Sequence, residues 1–272
     1  MGIPYAEVIG DPIAHSKSPL IHRLWLQKSG LDGDYRAIKV RSDELGDYLA
    51  TRRTDPDWRG CNVTMPLKEA ILPFLDELSP EAGQLGAVNI VTRQPIGLAG
   101  ENSDVAALRA EILETAENAA LLALPVVVIG AGGAARAVLQ VLRAVSELEV
   151  WILNRSVAKA EGLLGHFGLS GRALALEAHL PPTGLLINAS CLGMAGRPEL
   201  ELDLADAGKP FVVDLVYMPS ETRLLRQAKV GGMATIDGIN ILIGQATIAF
   251  RRFFSLAPPL GLEEELRKLL SQ

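Results

Sequence analysis

Aromatic residues and cysteines are scarce in this chain. Phe, Trp and Tyr make up 5% of its 272 residues, and there are only two cysteines, Cys61 and Cys191. Two thiols cannot build a disulfide framework or a four-cysteine zinc site, and each lies beside apolar or turn residues, so both are expected to be buried and reduced. Cationic residues are not in surplus either: 26 Lys and Arg stand against 32 Asp and Glu, a net charge of −6. A protein whose main business is the phosphate backbone would carry a basic face, so no nucleic-acid partner is expected. Long apolar runs are missing as well. The most apolar stretch, "AALLALPVVVIG", is interrupted by Pro125, and "MGIPYAEVIG" lacks the basic segment and apolar run of a secretory signal. The expectation is a cytoplasmic protein without membrane contact. The four histidines, His15, His22, His166 and His179, show no ligand spacing with one another or with the cysteines, so no metal site is expected.

What is abundant is Gly, 26 residues, within a 49% apolar composition, which suits an α/β protein built on aliphatic residues. The first hundred residues alternate strand and helix: "YAEVIG", a helix from about Ser18, "YRAIKV", a helix from about Ser42, and "RGCNVT". "LSPEAGQLG" then reads as a short capped helix with Pro80 at its start, and "AVNIVTR" with the turn "QPIG" as a strand feeding a hairpin. A helix over about 103–122 leads into "PVVVIGAGGAARAVLQVLRA", where a fully apolar strand, a glycine turn and an Ala-rich helix follow one another. Strands at "LEVWILN", "ALAL", "GLLINAS", "FVVDLVY" and "MATID" complete a doubly wound sheet of six. Two helices, "GINILIGQATIAFRRFF" and the amphipathic "LEEELRKLL", end the chain.

The segment "NVTMPLKEAI" holds an oddity. Thr64 and Pro66 mark a helix start, with Pro66 read at the first helical position, and Lys68 follows in the first turn. Unpaired amides make a helix start mildly positive, so a lysine gains nothing electrostatically there. Some other partner is expected to hold it.

Gly130, Gly132 and Ala135 give the spacing G-x-G-x-x-A, after a strand and before a helix. In that setting Gly130, Ala131, Gly132, Gly133 and Ala134 let backbone amides approach a pyrophosphate, with the helix N-terminus facing its charge. The next strand ends in "NRSVAKA", where an NAD site would place an acid against the ribose 2′-hydroxyl. Asn154, Arg155, Ser156 and Lys159 stand there instead, which favours the 2′-phosphate of NADP.

Polar groups collect in the N-terminal region: Ser16 and Ser18 in "HSKSP", Thr64 and Lys68 in "NVTMPLK", Asn89 in "AVN" and Asp104 in "ENSD". With "VIGDPIAHSKSPLIH", "GAVNIV", "GAGGAARA", "NRSVAKA", "INASCLGM", "DLVYMP" and "LIGQATIAF" in order, the chain resembles the shikimate dehydrogenase family over nearly its whole length. The resemblance implies an N-terminal α/β substrate domain (1–103 with 239–272), a Rossmann-like NADP-binding domain (104–238), and C-terminal helices returning to the first domain, with the active site in a cleft between the two. It further implies reversible reduction of 3-dehydroshikimate to shikimate with NADPH. Lys68 and Asp104 would be the catalytic pair, Ser16 and Ser18 would hold the ring carboxylate, and Thr64, Asn89, Tyr217 and Gln245 the ring and its hydroxyls. Leu215 and Gly238 would join the nucleotide site.

Quinate/shikimate dehydrogenases and a non-catalytic NADPH- or ring-acid-binding relative are the alternatives. Monomer and homodimer are both open. The chain departs from the family pattern at Ile90, Ser103, Val105, Cys191 and Ile241, and of these Val105, which replaces a glycine, bears most on the domain hinge or the ring pocket. Ser18 and Asp104 could each serve simply as helix caps, and Asn188 could serve a turn or lie near the cofactor.

Overall fold

The computed structural model describes residues 2–116 and 123–271. The chain divides into two compact units, Met1–Asp104 with Ile243–Gln272, and Val105–Leu242. Each has its own six-stranded sheet.

In the first unit β1 (Tyr5–Gly10), β2 (Asp34–Lys39) and β3 (Trp58–Val63) run parallel, joined by α1 (Ser18–Ser29) and α2 (Leu45–Thr54). A two-residue side-chain period sorts β1 into two cores. Tyr5 and Ile9 join Leu45, Leu49, Trp58, Cys61 and Val63 on one face. Ala6 and Val8 join Tyr35, Ile90, Ala249 and Phe253 on the other. Glu7, one residue off this apolar pattern, is 1% exposed. It is satisfied by Arg52 through two bonds (2.8 and 2.9 Å), Tyr48 Oη (2.6 Å) and Trp58 Nε1 (3.1 Å), all of which donate to it.

After β3 come the short α3 (Leu67–Ala70), a 3-10 turn, β4 (Glu77–Leu78), α4 (Pro80–Leu85), and the hairpin of β5 (Ile90–Arg93) and β6 (Leu98–Glu101). The cap of α4 is Ser79, its Oγ accepting from Ala82 N–H at 3.1 Å. The sheet order is β2-β1-β3-β5-β6-β4, with β5 antiparallel to both neighbours. Three details differ from the expectations. The second helix begins at Leu45, because Glu44 bonds back to Arg41 N–H and holds residues 41–44 as a turn. Pro66 is the residue before α3 rather than its first. Cys61 is buried as expected but Cys191 is half-buried; both are free thiols.

The second unit begins within α5 (Asp104–Ala116); the remainder of the helix expected to reach 122 lies outside the described residues. Strands β7 (Val126–Ile129), β8 (Glu149–Leu153), β9 (Ser170–Leu174), β10 (Leu185–Asn188), β11 (Phe211–Asp214) and β12 (Thr235–Ile236) match the six expected in order, except that β9 begins three residues before "ALAL" and β11 stops at Asp214, short of the end of "FVVDLVY". All are parallel, in the order β9-β8-β7-β10-β11-β12. That order reverses direction between β7 and β10, the switch point where such sheets bind ligands. Helices α6 (Gly133–Leu142), α7 (Val157–Phe167) and α8 (Arg223–Val230) belong to this unit. α9 (Gly238–Phe254) leads back to the first, and α10 (Glu263–Leu270) packs there near α1, with Leu266 and Leu270 each 2% exposed. No helix among the described residues is long and apolar enough to cross a membrane.

Candidate active site

Topology alone gathers the first group of polar residues. β1 and β3 are parallel neighbours, so the loops leaving their carboxyl ends lie side by side; one carries Ser16 and Ser18, the other Thr64 and Lys68. Their backbones are stitched together: Thr64 N–H donates to Ile9 O (2.9 Å) and Asp11 N–H to Met65 O (3.1 Å). β5 runs antiparallel to β3, which puts Asn89 at the same edge, and Val63 N–H donates to Asn89 O at 2.9 Å. β6 runs antiparallel to β5, and its carboxyl end delivers residues 102–104 there too.

Lys68 rides on α3, which is only four residues long and is anchored by Leu67 and Ile71, both fully buried. Its own carbonyl accepts from Val88 N–H at 2.9 Å, which fixes it beside Asn89. Lys68 Nζ donates to Asp104 Oδ2, and the two side chains are 18% and 13% exposed. Asn89 Nδ2 donates to the other carboxylate oxygen at 2.7 Å and to Ser103 Oγ at 3.0 Å, while Asn89 Oδ1 accepts from Ser103 N–H at 2.8 Å. Asn102 closes the loop: its Oδ1 accepts from Asp104 N–H (2.9 Å) and its Nδ2 donates to Ala87 O (3.0 Å). Asp104 is therefore the first residue of α5 with its side chain spent on Lys68 and Asn89, and Asn102 meets the orphan amide that a cap would serve. Ser18 is the first residue of α1 rather than its cap, a place held by Lys17 with no side-chain cap bond among the described residues; Ser18 N–H points at Ser16 Oγ, at 3.4 Å.

An ammonium aimed by a carboxylate, which is itself held by a buried amide, makes a positioned proton donor. Sequence alone marks Ser103 only as a departure from pattern and says nothing of Asn102. Ser103 keeps a hydroxyl on Asn89, and the signal that points to both is their place directly before Asp104. Gln245 lies on α9, one turn before Ala249 of the first unit's core. Val105 is fully buried.

In the second unit the glycine loop joins β7 to α6. Gly130 has φ of 107° and sits against the loop after β10, where a Cβ would come within 3.0 Å of Ala189 O. Only glycine fits both conditions. At Gly132, just before α6, an added Cβ would meet no other part of the chain within 4 Å, so open space fronts the unpaired amides of the helix start. That is the cradle a pyrophosphate needs.

At the end of β8, Asn154 Nδ2 donates to Ser156 O at 2.9 Å, and Ser156 Oγ accepts from Lys159 N–H at 3.3 Å. Arg155 and Lys159 are exposed beside them. The donor set offers cations and a hydroxyl, with no carboxylate to repel a 2′-phosphate. Leu215, after β11, and Gly238, at the start of α9, touch: a Cβ on Gly238 would stand 2.6 Å from Leu215 O. Tyr217 lies half-buried two residues past Leu215.

A cluster built on Asn188 of "INASCLGM" and Asp214 of "DLVYMP", whose mutual bonds the sequence does not show, occupies the carboxyl edge of this sheet. Asp214, fully buried at the end of β11, accepts from Thr222 Oγ1 (2.6 Å), Asn188 Nδ2 (2.9 Å) and Val216 N–H (3.0 Å). Burial pushes its carboxyl up to about 6, against the opposing pull of those bonds.

The sequence model of the shikimate dehydrogenase substrate binding domain matches residues 8–91. The chain is 52% identical over 269 residues to the NADP(+) shikimate dehydrogenase of Sphingopyxis alaskensis, covering 98% of this chain and 97% of that one. It is 41% identical to the enzyme of the same name from Methylobacterium radiotolerans, covering 94% and 93%. The shikimate 5-dehydrogenase of Thermus thermophilus, solved in complex with NADP(H) and shikimate, superimposes with a TM-score of 0.83 at 38% identity, covering 98% of this chain and all of that one. With that identity sustained along both units, the chain belongs to the shikimate dehydrogenase family.

Proposed function

We infer that the chain is an NADP-dependent shikimate dehydrogenase, an oxidoreductase acting on a CH–OH group that interconverts 3-dehydroshikimate and shikimate. The observation that carries the chemistry is the Lys68–Asp104 pair with Asn89 on the second carboxylate oxygen. When bound, NADPH supplies the hydride. As the ring carbonyl is reduced its oxygen gains negative charge, and the Lys68 ammonium stabilises that charge and delivers its proton to the oxygen. Asp104 aims the ammonium and accepts from the neighbouring substrate hydroxyl. In the reverse direction the same nitrogen takes the proton back.

Ser16 and Ser18 are assigned to the ring carboxylate, and Thr64, Asn89, Tyr217 and Gln245 to the ring and its hydroxyls. Gly130, Ala131, Gly132, Gly133 and Ala134 would hold the pyrophosphate, Asn154, Arg155, Ser156 and Lys159 the 2′-phosphate, and Leu215 and Gly238 the nicotinamide side. The substrate domain is assigned to 1–103 with 239–272 and the nucleotide domain to 104–238. Two free thiols suit a reducing compartment, and we place the protein in the cytoplasm. The test is steady-state kinetics with shikimate and quinate against NADP and NAD. Turnover on shikimate with NADP above the other three pairs supports the reading, preference for quinate moves it to the quinate/shikimate branch, and NADPH binding without turnover refutes catalysis.

A further inference from the structure

We propose that Asp214 is a positioning residue for this reaction, holding in register the two loops that leave β10 and β11. The proposal rests on the dehydrogenase reading above. Its geometry is independent of the Lys68 cluster, since every member lies within the second unit.

The carboxylate reaches both loops. Directly, it accepts from Val216 N–H at 3.0 Å, in the segment that carries Leu215 and Tyr217. Through Asn188 it reaches the other: Asn188 Nδ2 donates to Asp214 (2.9 Å) and to Leu192 O (3.1 Å), and Asn188 Oδ1 accepts from Ser190 N–H (3.1 Å) and Ser190 Oγ (2.7 Å). Thr222, before α8, donates to the remaining oxygen and accepts from Leu225 N–H at 3.2 Å. The loop after β10 is the one Gly130 packs against, and Leu215 O is the atom that Gly238 must clear. One buried anion thus sets two walls at the carboxyl edge of a doubly wound sheet, beside its switch point.

Stability does not ask for a charge there. An ion removed from water costs free energy that its hydrogen bonds only partly return, and a neutral or apolar group commonly packs as well or better. Burial pushes the Asp214 carboxyl up to about 6, which is the same desolvation cost expressed as a protonation equilibrium. A residue kept for folding alone and one kept for positioning therefore respond differently to removal of the charge.

The experiment compares Asp214→Asn, Thr222→Val and Thr222→Ser with the wild-type protein, measuring Tm and kcat and KM for shikimate and NADP. Asp214→Asn stays folded at the assay temperature, at the cost of turning an amide NH2 toward the Thr222 hydroxyl, and lowers kcat about tenfold, equivalent to about 1.4 kcal/mol of barrier. Thr222→Val lowers kcat in the same sense, and Thr222→Ser, which restores the hydroxyl, recovers most of it. Wild-type kcat in Asp214→Asn overturns the proposal. So does a loss of rate that only follows a loss of folded protein, with Thr222→Ser no better than Thr222→Val. If Asp214→Asn does not fold, the Thr222 pair decides alone. A wild-type protein without turnover would instead refute the dehydrogenase reading.

Discussion

His22 is the group through which pH should act most directly on the first unit. It is fully buried on α1, its ring stacked on Tyr35 with centroids 3.9 Å apart and planes 7° from parallel, with Trp25, Phe250 and Phe253 around it. Neither ring nitrogen has a hydrogen-bond partner among the described residues. An imidazolium there would be desolvated without compensation, and burial depresses the pKa from 6.5 to about 3. Between those two values the unfolded chain holds a proton that the folded chain refuses, so stability rises with pH across the window. The contribution is complete above about 6.5 and is lost progressively as pH falls toward 3.

The magnitude follows from the two pKa values. Going from pH 7.5 to pH 5, roughly 1.5 decades of differential proton binding accumulate, or about 2 kcal/mol. The comparison is between wild type and His22→Phe, which keeps a flat ring against Tyr35 and cannot titrate. Urea unfolding followed by tryptophan fluorescence suits the region, because Trp25 and Trp58 both belong to the first unit. Every other titrating group is common to both proteins, so the difference between their pH slopes isolates His22. Wild type should lose about 2 kcal/mol more than His22→Phe between the two pH values. Equal slopes would sink the argument, and so would a histidine that titrates near 6.5 in the folded protein by NMR.

Three further substitutions test the site and its support. Lys68→Met should lower kcat by about a thousandfold, since it removes both the proton donor and the charge that meets the oxyanion; NADPH binding by fluorescence should be unchanged, and retained turnover would refute the assignment. Arg155→Asp should weaken NADPH by roughly tenfold or more, the size of one lost charge-assisted bond, while leaving NADH nearly untouched; parallel losses for both nucleotides would contradict the 2′-phosphate reading. Arg52→Leu strips the bidentate partner from Glu7 and should destabilise the first unit by about 2–4 kcal/mol, less than a fully dry pair because Arg52 is 20% exposed; a denaturation midpoint equal to wild type would show that Tyr48 and Trp58 suffice.

The second unit is the more legible in sequence. Its central strands β7 and β10 are buried on both faces, and glycine and capping residues punctuate the unit, so these strands announce themselves within a few residues. The first unit shows its strands but hides its polar interior. Glu7 sits in "YAEVIG" as one acid among apolar residues, and only the fold shows that Arg52, Tyr48 and Trp58, 41 to 51 positions away, converge on it. The same limit hides Asp214. "FVVDLVY" reads as one continuous apolar strand, whereas the strand stops at Asp214, where the carboxylate turns back to accept from Val216 N–H. Short helices carry too little periodicity to place their ends, which is why Pro66 falls one position outside α3.

The lysine at the start of α3 is explained by what opposes it. A helix of four residues has almost no macrodipole to repel an ammonium, and Asp104 supplies a full negative charge where the helix supplies only a fraction of a positive one. The carboxylate in turn is held by a device that occurs twice among the described residues. In the first unit Asn89 Nδ2 donates to Asp104 Oδ1 at 2.7 Å, while Asn89 Oδ1 accepts from both the N–H (2.8 Å) and the Oγ (3.3 Å) of Ser103. In the second, Asn188 Nδ2 donates to Asp214 Oδ1 at 2.9 Å, and Asn188 Oδ1 accepts from the N–H (3.1 Å) and the Oγ (2.7 Å) of Ser190. Both sit at a strand end on a sheet edge, and both use an asparagine to lock a serine loop to a buried aspartate. What differs is the group on the free carboxylate oxygen. Lys68 brings Asp104 a transferable proton and a charge, so that aspartate can serve chemistry. Thr222 brings Asp214 only a neutral hydroxyl, so this one can hold loops in place but has no cation to aim at a substrate.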